Sequence, residues 1–414
     1  MIEYRQATLL RIALANSVGF SASTAVPIWV GSVGAHFGYP SWGAGAVATG
    51  QLACAALLNA ATPWLFRGAH LKKLAFVAAA VALLGNGLAW LGSSSVFIAG
   101  CLLCGAAFGV LLNVTNRLVA GSSAPQRGYA VVQLVEVLFC IGFFLGVPPI
   151  VERFGSLSVF AALAVLCAGV FLLLAGVPVS APGGLEVDAP VSTEGGVIKL
   201  KTGGAPPNTG AAVLSLCATV LLFAGQSSVN ASLVSIGAAV GLNVLWVGRV
   251  ISLGLLASLC GAIFARGLGQ RAGLLRPLLA GAGVLGSAML VVTLGKGAAA
   301  FIGGAIVLFM GIVFVVPYIY ALLAGLDRAG RWASIGPAFV LTGWALGPGI
   351  AGVVIRGVDF TTLGYVALAC VAVAMTLFLC GQRLRSRAEL ASAAEANYEA
   401  GSAEPAQARQ GAQL

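Results

Sequence analysis

One carboxylate, Glu136, interrupts an otherwise uncharged run between Gly128 and Cys140. Ionisable side chains are costly in hydrocarbon and are functional candidates by default. A carboxylate taken out of water titrates closer to neutral pH, which is what a group that carries protons requires. Tyr129, Gln133 and Glu136 share one helical face, and Gly142 and Gly146 lie on another. One side can therefore line a cavity while the other packs. The alternative is a structural Glu136 hydrogen-bonded to a neighbouring helix. Arg249 is the second charge inside a run. A guanidinium there prefers an anionic partner and points to an organic anion as solute, unless its stem snorkels to the membrane surface. Neutral amides recur at helical spacing as Asn113 with Asn116, Gln226 with Asn230, and Gln51 with Asn59. Each pair offers hydrogen bonds to a solute or joins two helices. Trp344, Tyr318 and Tyr320 read as packing or interface aromatics, with solute contact as the alternative.

The elements that hold these residues must be membrane helices. Of 414 residues, 59% are apolar and 8% are charged, whereas a soluble domain carries about 25% charge. Mean hydropathy is +1.01, and the apolar residues fall in runs that approach the roughly 20 residues needed to cross hydrocarbon. Spans are expected near 7–33, 43–66, 74–93, 96–119, 129–150 and 157–179. Six more follow near 209–235, 243–265, 277–294, 298–323, 333–355 and 362–381. They must be helical because every backbone amide in lipid needs an internal partner. The 57 glycines suit helices that approach closely, as at Gly100, Gly105 and Gly109.

The net charge of +10 is topological rather than a nucleic-acid footprint, because no window combines dense Lys and Arg with aromatics. With twelve spans, 18 of the 22 Lys and Arg residues fall on the side holding both termini. Arg153, Lys296 and Arg356 fall on the other, and Arg249 lies within a span. This partition puts both termini in the cytoplasm of a cell with an inner (plasma) membrane. Residues 180–208, with Pro182-Gly183-Gly184 and Pro206-Pro207, read as a cytoplasmic linker. It separates bundles at 1–179 and 209–381, and 382–414 reads as a weakly helical or disordered tail.

Catalytic signatures are missing from the sequence: no GxSxG, HExxH or phosphate-binding loop, and His36 and His70 fall between spans. The Cys101-x-x-Cys104 pair is flanked by Leu, Gly and Ala and reads as apolar packing, not zinc or redox chemistry. No enzyme activity, cofactor or metal is expected. Without a nucleotide-binding domain, transport would run on a gradient. A proton is the expected coupling ion, for want of an acidic cluster suited to sodium.

An internal repeat ties the halves together. Gly142-x3-Gly146-x-Pro148 in the fifth span parallels Gly343-x3-Gly347-Pro348 in the eleventh, offset by 201, and Arg127 and Arg328 keep that offset. On these residues, and on the basic loops Arg67-Gly-Ala-His-Leu-Lys72-Lys73 and Gly261 to Gly273 with Arg266 and Arg271, the chain resembles the major facilitator superfamily. The family's loop carries an Asp where Phe66 and Ala265 stand here. Gly343-x3-Gly347-Pro348 is similar to the glycine/proline motif of the family's antiporters, there in the fifth span, and leans toward export. The resemblance implies an all-α membrane protein of twelve helices in two pseudo-symmetric six-helix bundles. It further implies alternating access around a midplane cavity, function as a monomer, and a small-molecule substrate. Organic-anion transport is the expected activity, with proton-antiport efflux of drugs or amphipathic metabolites as the alternative.

Overall fold

The computed structural model describes residues 6–40, 42–66, 70–120, 125–175, 209–268, 273–326, 331–355 and 359–411. The first half holds α1 (Gln6–Phe37), α2 (Gly43–Leu65), α3 (Leu71–Leu91), α4 (Ser94–Ala120), α5 (Pro125–Phe154) and α6 (Ser158–Ala175). The second holds α7 (Thr209–Ala231), the short α8 (Leu233–Ala239), α9 (Val244–Leu268), α10 (Leu275–Leu294), α11 (Ala298–Ala324), α12 (Arg331–Val354) and α13 (Thr361–Gly411). Twelve of these helices are long and apolar enough to cross a membrane, so the chain is a multi-pass membrane protein. Three details differ from the sequence expectation. The seventh span ends at Ala231, and Leu233–Ala239 forms a separate turn-like helix. The first helix runs on to Phe37 and takes in His36. The last continues without a break at 381 to Gly411. The expected linker, 180–208, lies outside the described residues.

The halves repeat one packing scheme. In the first, α1 packs on α5 and α6, α2 on α4, and α3 on α4 and α6. In the second, α7 packs on α12 and α13, α9 on α11, and α10 on α11 and α13. Glycines set the closest approaches. A Cβ on Gly105 would overlap the carbonyl of Gln51, and one on Gly109 that of Ala55, so α2 and α4 touch backbone to backbone. With no solvent to drive apolar surfaces together, such contact is what lipid-embedded helices gain from small residues. Cys101 and Cys104 are buried, and a Cβ on Gly85 of α3 would lie 2.8 Å from the Cys104 sulfur.

Between the halves the pairing is reciprocal: the second span of one bundle meets the fifth of the other, as α2 with α12 and α5 with α9. The joints cluster on the side opposite the end of α6 at Ala175 and the start of α7 at Thr209, called here the far side, the other being the linker side. On one flank, a Cβ on Gly45 would overlap the carbonyl of Pro348, and one on Gly352 would meet the Trp42 backbone at 3.1 Å. On the other flank, a Cβ on Gly248 would lie 2.5 Å from the Phe144 carbonyl and 2.6 Å from the Pro148 ring. There Ser252 Oγ donates to the Ile141 carbonyl at 3.3 Å, and Asn243 Nδ2 to Glu152 Oε1 at 3.3 Å.

Candidate functional site

The inner face of α5 holds the carboxylate. Cys140 of α5 meets Thr24 of α1, sulfur to hydroxyl oxygen at 3.6 Å. The two helices run in the same direction. Glu136 and Phe20 each lie four residues (140 − 136 and 24 − 20) toward the linker side of that contact, so they sit at one level. Glu136 is half-buried and has no hydrogen bond or ion pair among the described residues. It interacts electrostatically with Tyr320 of α11, in the opposite bundle. Gln133, one turn nearer the linker side, is exposed. The outer face of the same helix carries Leu134 and Leu138, 51% and 57% exposed, as a lipid-facing surface requires.

Aromatic rings cover the middle of the interface. Phe20 lies 5.0 Å, centroid to centroid, from Trp344 of α12, which lies 6.4 Å from Phe223 of α7. Ser227 Oγ donates to the Trp344 carbonyl at 2.8 Å, and a Cβ on Gly347 would overlap Ser227. Gly343 is equally close, its added Cβ meeting the Val220 carbonyl at 2.6 Å. Thus Gly343 and Gly347 seat α12 on α7, Pro348 turns its carbonyl to Gly45, and Trp344 is carried into the space between the bundles. Phe20, Tyr320 and Trp344 are all half-buried.

The neutral amides divide. Asn113 Nδ2 donates to the Asn59 carbonyl at 2.9 Å, and Asn59 Nδ2 donates to the Gly109 carbonyl at 3.4 Å. This pair laces α2 to α4 inside one bundle. Asn116 accepts from Asn16 Nδ2 at 3.3 Å. Gln226, only 3% exposed, leaves its Oε1 without a hydrogen-bond partner, and Asn230 one turn on is half-buried.

Two expectations are corrected. Gly142 and Gly146 are not packing positions: both are exposed, and a Cβ on either would meet nothing within 4 Å. The fifth span packs instead through Phe144 and Pro148, which receive Gly248 from α9. Arg249 does not face the middle either. It is exposed and stacks on Trp246, its guanidinium carbon 4.7 Å from the ring. That face continues through Leu253, Leu256, Ile263 and Phe264, which are 49% to 67% exposed. The opposite sectors of α9 carry Gly248 and Ser252 against α5, and Gly254 and Gly261 against α11. Arg249 thus lies on the outward face, five residues after the far-side start of α9, where snorkelling satisfies it. Of the basic loops, Arg67 and Arg271 lie outside the described residues, and Arg266 falls in the last turn of α9. Lys73 is exposed in the first turn of α3, and Lys72 beside it lies 5.9 Å from the centre of the Phe76 ring.

Phe20 and Phe223 carried no signal as individual residues. Their offset of 203 (223 − 20) differs by two residues from the 201 of the internal repeat, so the repeat register does not pair them.

No family model matches the chain, and no curated protein matches its sequence. Solved structures do match. The peptide transporter POT in complex with sulfate superposes with a TM-score of 0.73 at 12% identity, covering 92% of this chain and 97% of that one. A mutant of the same transporter gives 0.71 at 13%, with the same coverage. A mutant of the nucleoside transporter NupG gives 0.69 at 13%, covering 91% of this chain and 99% of that one. Near-complete coverage in both directions, with the twelve spans and the reciprocal pairing of second and fifth helices, identifies the architecture. The chain has the two-bundle, twelve-helix fold of the major facilitator superfamily.

Proposed function

We propose that this protein is a proton-coupled carrier that moves a small organic solute across the membrane by alternating access between its two bundles. The observation that carries the reading is Glu136: a half-buried carboxylate on α5, unpaired among the described residues, on the helix face whose Cys140 meets Thr24 of α1. A carboxylate in that position is neutralised by a proton when the site is closed off, and releases it when water returns. Binding of one proton therefore alters the free energy of closure, which is the coupling a gradient-driven carrier needs. The solved structures of similar fold include "proton dependent oligopeptide transporters" by their own description, which supports the class of energy source.

The linker side is the cytoplasmic side in this reading, on the 18-to-3 distribution of Lys and Arg. The membrane is the inner (plasma) membrane, the working unit one chain, and no nucleic acid is involved. The close approaches at Gly45–Pro348 and Gly248–Pro148 then lie on the periplasmic side and close it. With Arg249 on the outward face of α9, the case for an organic anion loses its main residue. The solute is chosen by the groups on the inner faces.

The test is flux. Purified protein in liposomes, with an imposed pH gradient, should accumulate its solute against a concentration gradient, and the sign of accumulation separates uptake from export. Glu136→Gln keeps size and hydrogen bonding but cannot titrate. It should abolish proton-driven accumulation while sparing solute exchange at equal pH. Undiminished accumulation in that variant, with its pH dependence preserved, would remove Glu136 from the mechanism.

A further inference from the structure

A cleft of about 410 Å³ lies at the linker-side end of the second bundle, between the start of α10 and the late part of α13. Its walls are Leu275 of α10 and Leu379, Gln382, Arg383, Ser386 and Arg387 of α13. Packing sets the two helices in register there. A Cβ on Gly286 of α10 would meet Leu368 of α13 at 3.1 Å. The helices run in opposite directions, and Leu275 and Leu379 each lie eleven residues from that contact (286 − 275 and 379 − 368). Both therefore stand at one level. The five wall residues of α13 follow the i, i+3, i+4, i+7, i+8 spacing of a single helix face. Arg385 turns elsewhere, its Nη1 lying 2.9 Å from an added Cβ on Gly325 at the end of α11.

The depth of the cleft follows from helix geometry. From Thr361, where α13 begins on the far side, to Gln382 is 22 residues (382 − 361 + 1), or roughly 33 Å at about 1.5 Å per residue. That is about the thickness of the hydrocarbon core. Leu379 therefore lies where acyl chains end, and Arg383 and Arg387 lie at the level of the headgroups. Side-chain chemistry changes in the same order, as Ala372, Met375 and Leu379 give way to Gln382, Arg383, Ser386 and Arg387. Both arginines are exposed, and neither forms an ion pair among the described residues. Across the cleft, Leu275 opens α10, whose first turn holds no acidic residue. The positive end of that helix dipole adds to the arginine charges.

We propose that this cleft binds the headgroup of an anionic membrane phospholipid. The arginine pair offers planar donors that fit phosphate oxygens bidentately. Gln382 and Ser386 offer hydrogen bonds to the rest of the headgroup, and Leu275 and Leu379 receive the first methylenes of its chains. Clefts of about 300–1,000 Å³ hold a whole small ligand, whereas a lone ion needs far less room. Basic pockets between membrane helices at this level are suited to anionic headgroups. In the rival account the two arginines only snorkel to the bilayer surface, attracting anionic lipid without holding one molecule. The site lies on other helices than Glu136 and does not depend on transport.

Native mass spectrometry of the purified full-length chain in detergent separates these cases. The probes are dioleoylphosphatidylglycerol and dioleoylphosphatidylcholine, which share their chains and differ in that choline cancels the phosphate charge. One phosphatidylglycerol per protein should be retained, with saturation, at least about tenfold more tightly than phosphatidylcholine. Arg383→Gln combined with Arg387→Gln should weaken phosphatidylglycerol at least about tenfold, the loss of even one charge-assisted hydrogen bond. Lys73→Gln combined with Arg249→Gln removes as much charge from exposed positions elsewhere and should leave its binding unchanged. Equal affinity for the two lipids overturns the proposal even if the arginine variant does not fold. So does uptake of phosphatidylglycerol without saturation at one molecule, which snorkelling predicts, or unchanged affinity in the arginine variant. Inorganic phosphate at millimolar concentration should not displace the lipid. If it does, the cleft is a site for a free anion and the lipid assignment fails.

Discussion

Gly45 is the position where a single methyl group should change which side of the protein is open. Its ideal Cβ would overlap the carbonyl of Pro348 and lie 3.2 Å from the Gly352 Cα. Both obstacles are backbone, so no rotamer change relieves them, and α2 must move away from α12. Overpacking of this kind costs about 1–3 kcal/mol. The gain in helix propensity from Gly to Ala, up to about 1 kcal/mol, applies to every conformation that keeps α2 helical and so cancels. The penalty falls on the conformation in which this seam is shut, and 1–3 kcal/mol shifts a two-state population by roughly five- to 150-fold. Thr49 lines the seam, 2.7 Å from an added Cβ on Gly349, and reports on it when replaced by Cys. Its labelling by a membrane-impermeant maleimide added from the far side should accelerate by that factor when Gly45→Ala is introduced. Gly142→Ala, which meets open space, should leave the rate unchanged. Gly105→Ala, whose methyl overlaps Gln51 within one bundle, should lower thermal stability without altering labelling. An unchanged rate in a folded Gly45→Ala protein would refute the reasoning, because the seam would then not depend on this approach.

Three further outcomes follow from the same geometry. Gly142→Ala and Gly146→Ala should be neutral or stabilise thermal unfolding by up to about 1 kcal/mol, whereas Gly347→Ala, against Ser227, should cost about 1–3 kcal/mol. Arg249→Ala and Arg249→Lys should keep transport within about twofold of wild type, since only the stack on Trp246, worth about 0.5–1 kcal/mol at an exposed site, is affected. A tenfold loss of solute affinity in either would return Arg249 to the site. On the far side, Asp359 sits before α13 and accepts from the Thr361 N–H at 2.9 Å. The Thr361 side-chain and backbone hydrogen bonds hold its carboxyl below the usual range. The capping contribution is therefore present above the ordinary aspartate pKa and lost as pH falls through the lowered one. Asp359→Asn should flatten that acid-side loss of stability, as followed by thermal unfolding between neutral and strongly acidic pH.

The number of spans, their helical form, the twofold repeat and the family resemblance were legible in the sequence because a bilayer imposes length. A run near 20 apolar residues is visible wherever it occurs, and a matching pair of motifs 201 residues apart survives without any knowledge of packing. Glu136 stood out for the same reason, as a charge in a place where charge is costly.

What the sequence left open is which way each helix turns. In a soluble protein one face is polar and the buried face declares itself. In lipid the outward face and the packed face are both apolar, so the periodicity that orients a soluble helix is weak. Gly142 and Gly146 therefore looked identical in kind to Gly343 and Gly347, yet the first pair faces open space and the second touches α7. Arg249 and Glu136 likewise looked equivalent as intramembrane charges. Packing on both flanks of α9 turns Arg249 outward to Trp246, while the contact of Cys140 with Thr24 turns Glu136 inward beside Phe20. Composition and length decided that this chain is a bundle of membrane helices. Only side-chain contacts between helices, most of them set by glycines, decided which of its few polar groups meet at the centre.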